Sequence, residues 1–426
     1  MAIPVLLAMS GSSLESSVVV ALQRPARGGV EIVRRCVDMA DLVAVAAAGQ
    51  ARAALVAADV PDLDADVVAQ LRECHVVPVG LVEDDDPPAT HRLHQMGMSA
   101  VLDATDIDAL PERIAEALAR AETEDAAVPE PGPPAEGTPF DGTLRGTGRI
   151  IAVWGPSGAP GRTTVAVGLA SELAALGAPT LLVDADVFGG SIAQHLALLD
   201  ESSGILAAAR SAKAGTLDAA ALAGHAREIN PSLRVVTGLP RGDRWPELSP
   251  VAASAVITAA RGLAAFSVID CGFSLETDEE LSFDTAPPRR NGATLRILEQ
   301  SDLILTVGAA DPVGLARVAR GYVDLTEMVP GVPVRVLVNR MRASLGWSKA
   351  EVTAMVTRFT GHQRVDVLPD DRVACDEALV HGRTLTECAP RSALRLALRD
   401  LVMDLAGVSG RRSVRRTRIR RKPAPR

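Results

Sequence analysis

At 426 residues the chain has room for two or three domains, each with its own core. Apolar residues make up 47% of it but fall in short runs broken by charge, none reaching the roughly 18 to 20 that a membrane span needs. Five cysteines without a C-x-x-C pair give neither a disulfide framework nor a zinc site, and a net charge of -9 argues against a body that wraps nucleic acid. Residues 1–10 lack the basic start and small-residue cleavage site of a secretory signal, so the expected compartment is the cytoplasm.

From the N-terminus, short apolar strands alternate with helical patterns. A strand is predicted at Pro4–Met9 and a helix at Leu14–Gln23; a strand at Ala53–Ala57 and a helix at Ala65–Glu73 follow. Strands at Val76–Val82 and Ala100–Leu102 and a helix at Leu110–Ala121 close the series. Such repetition predicts an α/β unit over residues 1–121, a parallel sheet with helices on both faces. Size and order resemble a flavodoxin-like receiver domain, with Asp59 after the third strand where a phosphate-accepting aspartate would lie. Two chemical requirements fail. Met9-Ser10-Gly11 stands where a receiver carries its metal-holding acidic pair, and Asp103 follows Leu102 where it carries a lysine. Phosphate on Asp59 would go unneutralised, so the expectation is a pseudo-receiver that binds partners.

Residues 122–147 hold five prolines with glycines and acids and almost no apolar periodicity, which predicts a linker. Beyond it, residues 148–410 open with a strand at Arg149–Trp154, a Gly-rich turn and a helix over Thr163–Leu176. Further strands are predicted at Thr180–Val183, Arg234–Thr237, Ser267–Ile269, Leu303–Val307 and Val334–Val338, most of them separated by helical patterns. The expected architecture is a doubly wound, mostly parallel sheet with ligands at the carboxyl ends of its strands.

The segment Trp154-Gly-Pro-Ser-Gly-Ala-Pro-Gly-Arg-Thr-Thr164 lies between strand and helix, where free N–H groups and the helix dipole favour an anion. It departs from the P-loop pattern at Pro156 and Arg162. Downstream stand Leu-Leu-Val-Asp184-Ala-Asp186, Phe-Ser-Val-Ile-Asp270-Cys-Gly, Leu-Val-Asn339-Arg340, Val-Leu-Pro369-Asp370 and a helical stretch from Glu377. In that order they resemble the landmarks of the MinD/ParA superfamily of P-loop ATPases. With the receiver-like N-terminus the resemblance narrows to the CpaE/TadZ type, which serves Flp-type pilus and related secretion systems. The P-loop and the stretch from Gly272 to Leu281 look like its actinobacterial, septum-site-determining-like branch.

The resemblance implies ATP and Mg2+ as cofactors. Thr163 and Asp270 would hold the metal, and Asp184 or Asp186 would orient the attacking water. Gly158, Ala159, Gly161, Arg162, Thr163 and Thr164 would hold the phosphates. Asn339, Arg340 and Pro369 would hold the nucleoside, Pro369 in a loop closing over it. It also implies a homodimer that recruits pilus or secretion machinery to the inner membrane. Ser157 stands where the superfamily places a lysine that reaches the partner's nucleotide, Arg162 replaces the second lysine, and Pro160 removes an N–H from the cradle. Phosphoryl transfer depends on positioned charge, so hydrolysis is expected to be slow or absent. Arg289 or Arg290 is a candidate replacement cation. The alternative is an active ATPase of septum placement or chromosome partition.

The last sixteen positions, 411–426, carry nine basic residues and no acid, with Val414 and Ile419 as the only apolar anchors in the basic run. Such a tail suits an anionic membrane surface or an acidic partner, with DNA less favoured, and would make the cytoplasmic protein peripheral at the inner face of the cell membrane.

Overall fold

The computed structural model describes residues 2–23, 29–83, 86–126, 148–158, 161–198, 202–277, 289–361 and 364–407. The N-terminal sheet is built from β1 (Ile3–Ala8), α1 (Glu15–Leu22), β2 (Val30–Arg35), α2 (Met39–Ala47), β3 (Ala53–Ala57), α3 (Ala65–Glu73), β4 (Val77–Val82), α4 (Pro87–Gln95), β5 (Ala100–Asp103) and α5 (Leu110–Ala126). Its strands are parallel in the order β2-β1-β3-β4-β5, the flavodoxin-like arrangement. All five residues of β3 are buried, as a central strand covered by helices on both faces requires. Asp59 is exposed two residues beyond β3, and Asp103 turns its carboxylate onto the backbone N–H of Thr105, capping a short 3-10 turn.

The second sheet begins with β6 (Arg149–Trp154), α6 (Arg162–Ala175), β7 (Thr180–Ala185), α7 (Ile192–His195), α8 (Gly204–Lys213), α9 (Ala219–His225), β8 (Arg227–Asn230) and β9 (Leu233–Val236). It continues through α10 (Pro250–Leu263), β10 (Phe266–Cys271), α11 (Gly292–Glu299), β11 (Leu303–Ala309), α12 (Pro312–Met328), β12 (Val334–Met341) and α13 (Lys349–Thr360). It ends with β13 (Val365–Pro369), α14 (Arg372–His381), α15 (Leu385–Cys388) and α16 (Ala393–Leu405). The order is β13-β12-β11-β6-β10-β7-β9-β8, parallel except for the antiparallel edge strand β8.

Alternation along each strand divides the apolar residues between the two faces. Ile150, Leu181 and Ile269 pack under α8, α10 and α11, whereas Ile151, Leu182 and Val268 pack under α6 and α16. Helix starts follow local chemistry: Ser249 and Asp311 accept from the backbone N–H groups of Ala252 and Gly314, each followed by a proline at the first helical position. Between the two sheets, α3 packs against α8 and α10. Lys213 Nζ lies 3.0 Å from Asp64 and 3.5 Å from Asp66, and the Ser249 hydroxyl donates to Asp66 at 2.7 Å.

Three expectations change. Residues 122–126 of the expected linker continue α5, and the rest of it lies outside the described residues, as does the basic tail. Val-Leu-Pro369 is the end of β13 rather than a closing loop, with Pro369 paired to Met341. Strands β2 and β8, unanticipated, are edge strands with mostly exposed, charge-rich patterns.

Candidate functional site

The loop after β6 and the carboxyl ends of β7 and β10 converge, because parallel strands in register bring Asp184 beside Asp270 and Asp270 beside Val153. Helix α6 starts at Gly161, which has φ +93°, a conformation open to glycine. No side chain caps it and its first turn holds no acid. Its leading N–H groups and positive dipole end therefore face the loop without an internal acceptor from the cap. Gly158, φ +67°, supplies a second turn that other residues rarely adopt. Ala159 and Pro160 lie outside the described residues.

Thr163 and Asp270 are brought together as expected, the Thr163 hydroxyl donating to Asp270 Oδ2 at 2.6 Å. The other carboxylate oxygen of Asp270 is buried and has no hydrogen-bond partner. Buried polar groups are nearly always paired, so the orphaned carboxylate oxygen beside an uncapped helix start leaves acceptor capacity that a cation could use. A magnesium ion fits this donor set, because Mg2+ is ordinarily held by one or two protein oxygens and completes its shell with water and phosphate. Among the described residues no cluster of three or more His, Cys, Asp or Glu is present that could hold a metal unaided.

The acidic pair divides its labour. Asp184 is 1% exposed and accepts from the backbone N–H groups of Asp186 at 3.3 Å and Ile192 at 3.0 Å. Gly190 and Gly238 press so closely that a Cβ on either would lie 2.6 Å from its carboxyl group. Asp184 therefore pins the chain between β7 and α7, its carboxylate taken up by backbone N–H groups. Asp186 pairs with Arg162 at 3.4 Å and accepts from Phe188 N–H at 2.9 Å.

Arg162 also departs from expectation. Its guanidinium folds back onto Gly155 O at 3.2 Å and Asp186, its Nε is buried without a partner, and its side chain is 15% exposed. Its charge is thereby committed to an acid. Arg290 is committed too: it donates to Val187 O at 3.2 Å and stacks 4.1 Å from the Phe188 ring, which packs against Phe273. The reading of Arg290 as a cation reaching a partner does not fit these contacts; Arg289 is exposed.

Asn339 is buried, and its amide nitrogen lies so near Gly161 that a Cβ there would meet it at 2.3 Å. Arg340 follows at φ +57°, a left-handed residue where the pairing of β12 with β13 shifts register. Its side chain is exposed. Thr164 borders a small cleft shared with His195, Cys375 and Arg383. Sequence reading missed the Thr294 hydroxyl, buried without a partner and 3.4 Å from where a Cβ on Gly272 would lie. A lone threonine in an apolar helix gives no signal of this.

Among solved structures, the ParA-family ATPase of Chlorobium tepidum TLS is similar to this chain with a TM-score of 0.51 and 18% identity, over 60% of this chain and 98% of that one. The larger sheet has the ParA-type P-loop fold. The cell division ATPase MinD of Pyrococcus furiosus gives 0.49 at 20% identity, over 62% of this chain and 100% of that one. The septum site-determining protein MinD of Pyrococcus horikoshii OT3, complexed with Mg-ADP, gives 0.48 at 18%. No protein-family model and no curated protein matches the sequence.

Within the ParA-type fold the acids set a distinctive electrostatic state. Burial pushes the Asp184 carboxyl up to about 7, against the backbone N–H groups of Ile192, Asp186 and Ser191 that pull it down. Burial, with the charge of Asp184 added, holds Asp270 well above the ordinary carboxylate range despite Thr163 and Arg162. Both acids bind a proton more tightly folded than unfolded. The stability this contributes is full below about pH 4 and is withdrawn as pH rises through about 7. The expected result is a chain whose ligand-free melting temperature falls between pH 5 and 8 more steeply than that of Asp270→Asn. Scanning fluorimetry across that range checks it, and parallel slopes would refute the assignment.

Proposed function

We propose that the ParA-type domain binds a magnesium nucleoside triphosphate, ATP by its resemblance, and turns it over slowly or not at all. On this reading the chain is a nucleotide-dependent localisation or assembly factor of the CpaE/TadZ type, acting as a homodimer on pilus or secretion machinery. The observation that carries the ligand is the Thr163–Asp270 pair, with one carboxylate oxygen unpartnered beside an uncapped helix N-terminus. Thr163 and Asp270 would hold Mg2+, which supplies charge neutralisation to the phosphates when bound. The N–H groups of the first turn of α6 would hold the phosphates, and Asp186 is the acid on the loop side of β7.

The weak-turnover half rests on charge. Ser157 supplies no cation, and Arg162 spends its charge on Asp186. Transition-state charge would meet little positioned compensation from the loop itself, and a missing cation of this kind is worth about 10³ to 10⁵ in rate. Steady-state hydrolysis by the wild type is therefore expected near background, rising in Ser157→Lys plus Arg162→Lys. Wild-type turnover that is lost in Asp270→Ala would overturn this half and favour an active ATPase of the partition or septum-placement kind.

A further inference from the structure

The P-loop lacks a free cation of its own, yet one lies against it from elsewhere in the fold. Helix α12 is seated by three close approaches, two to β11 and one to the loop. A Cβ on Gly308 would meet Val318 at 1.8 Å, one on Gly314 would meet Ala309 at 2.6 Å, and one on Gly321 would meet Pro156 and Trp154 at 3.1 Å. Gly314, Val318 and Gly321 recur at helical spacing, so one stripe of α12 faces β11 and the loop. Arg317 stands on that side, four residues before Gly321. Its guanidinium crosses Gly158 so closely that a Cβ there would lie 2.0 Å from Nη1. The residue is exposed, and among the described residues no carboxylate pairs with it.

We propose that Arg317 is the phosphate-facing cation of this site, supplied by α12 to a loop whose own arginine is held by Asp186. This rests on the nucleotide reading above and adds the residue that would make the site prefer a polyphosphate. A planar guanidinium suits that role, since it donates two parallel hydrogen bonds to phosphate oxygens. Glycine at position 158 is then required twice, for its positive φ and for the room the guanidinium occupies.

The test titrates the full-length wild type, Arg317→Ala, Arg317→Lys and Arg320→Ala with Mg-ATP and with adenosine by calorimetry, alongside melting temperatures. Arg317→Ala is expected to weaken Mg-ATP about 10- to 100-fold. It should leave adenosine affinity and melting temperature unchanged, because an exposed side chain is removed. Arg317→Lys should recover part of the loss. Arg320, exposed one turn away on α12, should be neutral. Wild-type affinity for Mg-ATP in Arg317→Ala, or an equal loss for adenosine, overturns the assignment and leaves the nucleotide reading standing. Absence of Mg-ATP binding by the wild type overturns both.

Discussion

Replacing Asp270 by asparagine is expected to weaken Mg-ATP binding by more than about 100-fold. It should also raise the melting temperature of the ligand-free protein by about 3 to 8 °C. The two effects have one cause. Asp270 is 1% exposed, one of its oxygens has no partner, and Asp184 lies opposite it on the neighbouring strand. Burying a charge that lacks full compensation costs more than burying an amide of the same shape. Asparagine still accepts from Thr163 through its carbonyl oxygen, so the local geometry persists while the charge is removed. A bound cation would compensate the aspartate, whereas the amide offers it no charge. Scanning fluorimetry at pH 8 with and without Mg-ATP reads both effects. The wild type should gain stability with ligand, by about 2.7 kcal/mol at a hundredfold excess over its dissociation constant. The variant should start higher and gain nothing. A variant that melts below the wild type and still responds to Mg-ATP would remove the case for a ligand at this carboxylate.

A second large effect is expected far from the loop. Glu172 on α6 is buried to 3% and is held by Arg395 on α16, Nε to Oε1 at 2.6 Å and Nη2 to Oε2 at 3.1 Å. Thr386 adds a hydroxyl at 3.3 Å, and Leu398 fills the space that a side chain on Gly168 would need. Arg395→Ala leaves the carboxylate buried and unpaired on the helix whose N-terminus forms the candidate site. Breaking a buried pair in this way costs about 3 to 5 kcal/mol, or a melting temperature lower by about 10 °C. The double variant Glu172→Leu plus Arg395→Met removes both charges and keeps apolar volume, so it should recover most of the loss. Urea denaturation of the three proteins measures this; an Arg395→Ala protein within about 0.5 kcal/mol of wild type would show that α6 does not depend on the pair.

What the sequence made legible follows from what is buried. Strands β3 and β6 read directly because every position, or all but one, is apolar and enclosed. β2, with the pattern Val-Glu-Ile-Val-Arg-Arg, is mostly exposed at a sheet edge, and β8, Arg-Glu-Ile-Asn, has almost no apolar content. Pattern reading has little to hold in either, because an edge strand is fixed by its neighbour's hydrogen bonds more than by its own burial. The site shows the same divide. The order of motifs led to Thr163 and Asp270, which meet. The different surroundings of Asp184 and Asp186 were not legible, because they depend on which carboxylate the turn before α7 captures. Nor was the fate of Arg162, which is decided by the distance to Asp186 and Gly155. Arg317 was beyond reach for another reason: its place over Gly158 is set by the seating of α12, a tertiary fact carried by glycines that a linear reading takes as mere helix interruptions.

The ends of the larger sheet bear on how copies of this chain can meet. A strand edge with free N–H and C=O groups invites another strand to add to it. One edge here is β8, four residues long, turned antiparallel and carrying Arg227 and Glu228, the latter paired with Arg234 on β9. At the other edge β13 finishes on Pro369, which has no N–H to offer, and Asp366 is drawn inward to Arg335. Both borders are poor templates for continuing the sheet from one molecule to the next. Self-association is thereby directed to helix faces and loops, away from any continuation of the larger sheet as a ribbon.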